Sequence, residues 1–342
     1  MNTRFCMVTA AALAVALLAA GCGSGNGEAS HNKAGIVWKK NTMKITMIAK
    51  SQNNPVFPTA RVGAEDAARE LSEKTGIKIT IDWQTPNEEN AQEQATRLQS
   101  AVGGGTDVAL MSLSDAAKVT GAINDAVDKG VPVMTFDSDA PDSKRFAFYG
   151  VDDEESGAAV MKELAGLTNG TANVAILAGN QNAPNLQRRV KGAMDEAKKY
   201  PGMKIVGTFY HVETPQDAAA EVLKEMSANS SINAWCMVGG WPLFTQSLLN
   251  LDPKKVKIVA IDCLPAELPY IDKGIAPVLL AQPTYQWGYQ SVQIIAKKLI
   301  YGQKVEPKNK MELVKVTKDN LHEWAKTLKS WKLPGIDPKY LQ

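Results

Sequence analysis

The sequence predicts an α/β protein of two similar lobes, each a doubly wound parallel sheet. Three observations carry this. Short β-branched or Met-rich runs alternate with longer stretches of helical period, and strict βα alternation gives parallel sheets covered by helices. At 342 residues the chain is too long for one typical core, so it divides. Two segments also echo each other. Gly63-Ala64-Glu65-Asp66-Ala67-Ala68 leads to Gly76-Ile77-Lys78-Ile79, and Gly192-Ala193-Met194-Asp195-Glu196-Ala197 leads to Gly202-Met203-Lys204-Ile205. Each is the first helix and second strand of its half.

The elements follow in order. Residues 44–49 read as a strand. Residues 59–74 read as a helix, with Val62, Ala64, Ala67, Ala68 and Leu71 at helical spacing and Gly76 as its stop. Residues 77–83 alternate like a strand. Residues 88–102 are helical, with Ala91, Ala95, Leu98 and Val102 on one face. Strands at 108–111, 131–136 and 147–151 follow, with helices at 116–129 and 156–167. In the second half, strands at 174–177, 204–210, 234–238, 256–261 and 277–281 alternate with helices at 186–200, 216–227, 243–251 and 267–273. A long helix covers 286–301, and a tail helix covers 320–331.

The N-terminus reads as an address. Arg4 precedes an apolar run from Phe5 to Ala20. The run is too short and small-residued for a comfortable membrane span and fits the core of a signal peptide. It ends in Leu18-Ala19-Ala20-Gly21-Cys22, which resembles a bacterial lipobox with Ala19 where Leu is commoner. Residues 1–21 are therefore read as a signal peptide and 22–42 as a lipidated tether, with Cys22 the lipid-bearing residue. A plain secretory signal is the alternative. Apart from Ile36, Val37 and Trp38, residues 23–42 have few apolar side chains with which to offset chain entropy.

Composition excludes several classes. A net charge of +2 without a basic block gives nucleic acid no electrostatic footprint. No later apolar stretch is long enough to span a bilayer. His31, His211 and His322 are scattered, and there is no Gly-rich phosphate loop, His-x-x-x-His or Gly-x-Ser-x-Gly elbow. No catalytic residue, metal site or cofactor is assigned. Cys236 and Cys263 end apolar runs and read as buried free thiols, with a disulfide as the alternative.

Open parallel sheets bind ligands beyond the carboxyl ends of their strands. The residues there are polar: Lys50 to Asn54 with Phe57, Asp137-Ser138-Asp139, Gly179 to Asn182 running into Asn185 and Arg189, Gly239-Gly240-Trp241, Asp262, and Gln282. Carboxylates accept from hydroxyls, Arg donates a planar fork, and Asn or Gln does both. The set suits a polyol.

These residues carry a resemblance. From about residue 44 to 310 the chain resembles the periplasmic sugar-binding family of ABC transporters, the ribose-binding-protein-like group with the type I periplasmic binding fold. Asn-Asn-Pro-x-Phe followed by Gly-Ala-x-x-Ala-Ala matches at Asn53 to Ala68, Asp137 falls on a ligand Asp, and Arg189 on a ligand Arg. Asp262 follows Val-Ala-Ile as in the family, and Gln282 stands beside Pro283. The departures are Val56 for a second aromatic, Ser138 for an Arg, and Ser112 and Gly239 where Asn is expected, with Trp241 close by as a substitute stacking face. The resemblance implies ligand-binding roles for Asn54, Phe57, Ser112, Asp137, Ser138, Asn185, Arg189, Trp241, Asp262 and Gln282, and a further contact at Lys50. Bland readings stand beside these: Asn54 as a turn former, Phe57 as a helix-entry staple, Trp241 as core, Asp262 as a helix cap. Arg188 reads as a solvated neighbour of Arg189, and Asp139 as the structural member of its pair.

The family fold implies three crossing segments, placed near 150–152, 282–283 and 310–312. The N-terminal lobe is then 43–149 plus 283–309, and the C-terminal lobe 150–282 plus 310–342. The implied function is that of a monomeric extracytoplasmic lipoprotein. It captures a small sugar between its lobes and passes it to ABC transporter permease subunits, touching the membrane only through its lipid. A receptor presenting ligand to a chemotaxis or kinase sensor is the alternative. An enzyme acting on glycosides and a DNA-binding regulator are the remoter ones.

Overall fold

The computed structural model describes residues 35–342. The signal segment, Cys22 and most of the tether lie outside the described residues. The element order is β1 (Thr42–Ile48), α1 (Val56–Thr75), β2 (Lys78–Trp83), α2 (Ala91–Gly103), β3 (Val108–Met111), α3 (Ala116–Asp128), β4 (Val133–Phe136) and β5 (Ala147–Gly150). Then come α4 (Asp153–Leu167), β6 (Thr171–Leu177), α5 (Pro184–Ala197), β7 (Gly202–Phe209), α6 (Pro215–Ala228), β8 (Ala234–Met237), β9 (Lys257–Ile261), α7 (Leu268–Asp272) and β10 (Val278–Ala281). The chain ends with α8 (Thr284–Ile295), β11 (Lys308–Lys310), β12 (Val314–Val316) and α9 (Leu321–Ser330).

The strands form two six-stranded sheets, ordered β11-β5-β4-β3-β1-β2 and β12-β10-β9-β8-β6-β7. The orders coincide once β1–β5 are matched to β6–β10 and β11 to β12. The edge strands differ: β11 runs parallel to β5, whereas β12 runs antiparallel to β10. The fold is thus the α/β pair of doubly wound lobes that the alternation predicts. The chain passes between lobes after β5, after β10 and after β11, with α4 packing on β8 and β9 while α8 packs on α1.

Both faces of each sheet are covered, so its inner strands are mostly apolar rather than alternating. In the first lobe Met43, Ile45 and Met47 share a core with Ala60 of α1 and Trp287 of α8, while Ala109, Met111 and Val133 face Leu98 of α2 and Ile123 of α3. In the second, Ala234, Cys236 and Val238 share a core with α4 and α5, while Trp235 and Met237 face the α9 side. Cys236 and Cys263 are free and buried.

Each lobe has one helix pair that crosses backbone to backbone through glycine. A Cβ on Gly63 would lie 2.0 Å from the Tyr285 carbonyl oxygen, and one on Gly288 1.8 Å from that of Ala60. In the second lobe a Cβ on Gly157 would lie 1.8 Å from the Arg189 carbonyl, and one on Gly192 2.0 Å from that of Glu154. The two echoed sequence segments are the α1 and α5 halves of these crossings.

Four details differ from the sequence reading. The helix placed at 88–102 starts only at Ala91, because the Asn90 side chain caps it by accepting from the Glu93 N–H at 2.9 Å. Glu88 and Glu89 are left in the loop. No α-helix forms at 243–251: Trp241–Phe244 make a 3-10 turn, Thr245 is extended, and successive tight turns follow. Strands β11 and β12 were not anticipated, because each is only three residues long and β11 is wholly polar. Finally, the end of the tether is docked, since Ile36 and Trp38 pack on the first lobe and the Val37 N–H donates to the Ile300 carbonyl at 2.8 Å.

Candidate functional site

The two sheets aim their carboxyl ends at each other. Lys50 stands two residues past β1, Ser112 one past β3, Asp137 one past β4, Asp262 one past β9 and Gln282 one past β10. Helix α5 brings Asn185 and Arg189. All seven are buried. Asp137 and Asp262 are two of only four non-glycine residues with positive φ among the described residues, at 57° and 82°. Asp tolerates this left-handed region better than most side chains. The matched turns re-aim both carboxylates off their strand ends.

The predicted residues meet in two hydrogen-bonded groups. In the first, the Lys50 ammonium donates to Asn185 Oδ1 at 3.3 Å, Asn185 Nδ2 donates to Asp137 Oδ1 at 3.3 Å, and the Ser112 hydroxyl donates to Asp137 Oδ2 at 2.6 Å. Lys50, Ser112 and Asp137 belong to the first lobe and Asn185 to the second, so this group ties the lobes together. In the second, Arg189 donates to Asp153 Oδ1 at 3.0 Å, to the Val238 carbonyl at 3.1 Å and to Gln282 Oε1 at 2.9 Å. Gln282 Nε2 then donates to Asp262 Oδ1 at 2.9 Å, whose Oδ2 accepts from the Gly240 N–H at 3.2 Å.

Burial is the main electrostatic cost, and charge pairing offsets it. Burial pulls the Lys50 ammonium down, but Glu213, Glu89 and Asp137 together more than reverse this, so its pKa is raised. Arg189 behaves likewise through Asp153, Asp137 and Asp262. Burial pushes Asp153 and Asp262 up despite their Arg189 partner.

Other predicted residues have different surroundings. Asn54 Oδ1 accepts from the Val56 N–H at 3.4 Å at the entry to α1, the turn-forming arrangement. Phe57 stacks on Trp287 with centroids 6.0 Å apart and meets Phe136 edge-on, within the first lobe's core. The Ser138 hydroxyl is buried without a hydrogen-bond partner. Trp241 is buried over Gly179 and Gly239, where added Cβ atoms would come within 2.8 and 2.4 Å of the ring, and it meets the His211 ring at 5.0 Å. Asp139 pairs with Arg145 and Thr135, a structural role. Arg188 is not simply solvated: it is half-buried and donates to Asp153 Oδ2 at 2.8 Å.

Sequence reasoning missed three acids. Asp153 anchors both arginines. Glu89 and Glu213 flank Lys50, with their Oε1 atoms 3.8 and 3.7 Å from its Nζ. Asn180 of the second lobe donates to Glu89 Oε2 at 3.0 Å. Glu89 was hidden by its assignment to a helix, whereas Glu213 lies four residues past β7, in a strand-end loop that the sequence reading passed over.

Residues 45–304 match the family described as periplasmic binding protein domain. The ribose import binding protein of Bacillus subtilis is 26% identical over 153 residues, 45% of this chain and 48% of that protein. The chain thus matches about half the length of that curated relative. Among solved structures, a glucose-galactose binding protein from Geobacillus stearothermophilus superposes with a TM-score of 0.75 at 26% identity, over 82% of this chain and 99% of that one. An ABC transporter solute-binding protein from Burkholderia graminis, in complex with D-arabinose, gives a TM-score of 0.76 at 24% identity, over 82% and 98%.

Proposed function

Since this chain belongs to the periplasmic binding protein family, we propose that it captures a small sugar or polyol between its lobes and hands it to ABC transporter permease subunits. The family is one of extracytoplasmic binding proteins rather than enzymes. We further propose that export and anchoring follow the N-terminal reading, with lipid at Cys22.

One observation carries the ligand proposal: strand-end polar groups of both lobes converge, with Asn185 reaching across to Asp137. Carboxylates, a guanidinium and two amides offer the acceptors and donors that vicinal hydroxyls need. Charge-assisted hydrogen bonds contribute about 1.5–3 kcal/mol each, and micromolar affinity requires about 8 kcal/mol net. A ligand touching both lobes favours the closed form by its preference for that form.

Calorimetric titration against pentoses, hexoses and alditols tests this. One or more sugars should bind saturably, and Asp137→Ala should lose at least tenfold in affinity. Indifference to every sugar and alditol would overturn the reading. Mass spectrometry of membrane-extracted protein tests the anchor, with lipid lost in Cys22→Ser.

A further inference from the structure

The proposed sugar slot holds more negative than positive groups. Asp137, Asp153, Asp262 and Glu213 are buried among the converging polar groups and Glu89 stands beside Lys50, against the buried cations Lys50 and Arg189. Counting half-buried Arg188, which shares Asp153, still leaves five carboxylates to three cations. The excess is concentrated at the Lys50 end. There one ammonium stands between two carboxylates from opposite lobes, neither nearer than 3.7 Å.

The acceptors there are not all used. Glu89 Oε2 accepts from Asn180, but Glu89 Oε1 is buried and has no hydrogen-bond partner. A buried, unpartnered carboxylate oxygen calls for a donor. A hydroxyl or an amine can donate to it. A ligand carboxylate or phosphate offers acceptors alone and would sit against like charge.

Resting on the sugar-binding reading above, we propose that Glu89 and Glu213 are specificity-determining residues that make the slot take uncharged polyols and turn away their acidic counterparts. Lys50 has a positioning role: it keeps the two carboxylates close without neutralising both.

The test is calorimetric titration of the whole protein at pH 8, where Glu89 is ionised, with matched pairs, D-glucose against D-glucuronate and D-arabinitol against D-arabinonate, plus the remaining pentoses, hexoses and alditols. In the wild type, whichever neutral sugar binds should do so at least tenfold more tightly than its acid. Glu89→Gln and Glu213→Gln should narrow the neutral-to-acid ratio by tenfold or more. The wild-type ratio needs no variant, so it stands even where a substitution impairs folding. An acid bound as tightly as its neutral partner by the wild type overturns the inference. So does an unchanged ratio in both variants, with sugar binding itself intact. Absence of binding by every neutral and acidic probe would sink the sugar reading and this inference together.

Discussion

The two lobes share one scaffold and differ in how their loops use it. Both sheets follow the same strand order, both cross a helix pair through glycine, and both end the fourth strand in a left-handed Asp. Yet Asp137 of the first lobe reaches outward, bonding to Asn185 of the other lobe, whereas Asp262 of the second is satisfied within its own lobe by Gln282 and Gly240. The first lobe contributes an ammonium and hydroxyls, the second a guanidinium with a supporting carboxylate. A duplicated frame thus fixes where polar groups converge, and the loops decide which chemistry arrives.

The largest test of this asymmetry is Arg189→Met. It leaves Asp153 buried without its main partner and frees Gln282. Loss of about 3–5 kcal/mol in denaturant unfolding is expected, with ligand binding lost beyond a hundredfold. Lys50→Met, its counterpart in the first lobe, should cost less stability. Equal losses would contradict the division of roles drawn here.

Next come the glycine crossings. Gly63→Val and Gly157→Val each drive a side chain into backbone, and each should cost about 2–4 kcal/mol. Only Gly157→Val presses on Arg189 itself, so at a temperature where both variants are folded it alone should also weaken ligand binding. Calorimetric melting followed by titration separates the two effects.

A pH effect should be smaller. Burial, with Glu213 beside it, raises Glu89 from 4.5 to about 7, against the pull of Lys50 and Asn180. Asp137 also faces it, and Asp115 and Lys118 line the same surface groove. The native protein therefore holds a proton that the unfolded chain releases near its ordinary value. Stability from this group is highest below about pH 5, falls as pH rises to about 7, and stays low above. A decline of order 2 kcal/mol is expected, and Glu89→Gln should flatten it. Thermal unfolding at pH 5 and pH 8 checks this, and equal slopes for both proteins would remove the effect.

The smallest contrast is Asp137→Asn against Asp262→Asn. Asn keeps the left-handed backbone, so each substitution removes the charge and turns one acceptor oxygen into a donor while the turn stays in place. Because only Asp137 bridges the lobes, its variant should lose about tenfold more ligand affinity than the other.

Much of the fold was legible because parallel strands covered on both faces leave long apolar runs, and because Gly63 and Gly192 open recognisable echoes. The convergence of Asp137, Asp262 and Gln282 was readable from the strand-end rule, and Arg189 from the family resemblance. Glu89 was not, because its neighbours Ala91, Ala95 and Leu98 extend a helical period backward, and only Asn90's capping hydrogen bond shows where the helix begins. Glu213 and Asp153 escaped for another reason. Both follow strand ends, four residues past β7 and three past β5, but their importance comes from burial beside Lys50 and Arg189, which the strand-end rule alone does not single out. The failed helix at 243–251 reflects Thr245, whose extended backbone interrupts a leucine-rich stretch.

Gln282 stands where β10 of one lobe gives way to α8 of the other, while also holding Arg189 and Asp262. Under the proposed binding cycle, a ligand that grips its amide would therefore hold one of the chain's crossings directly, and occupancy would reach the jaws without first passing through either lobe.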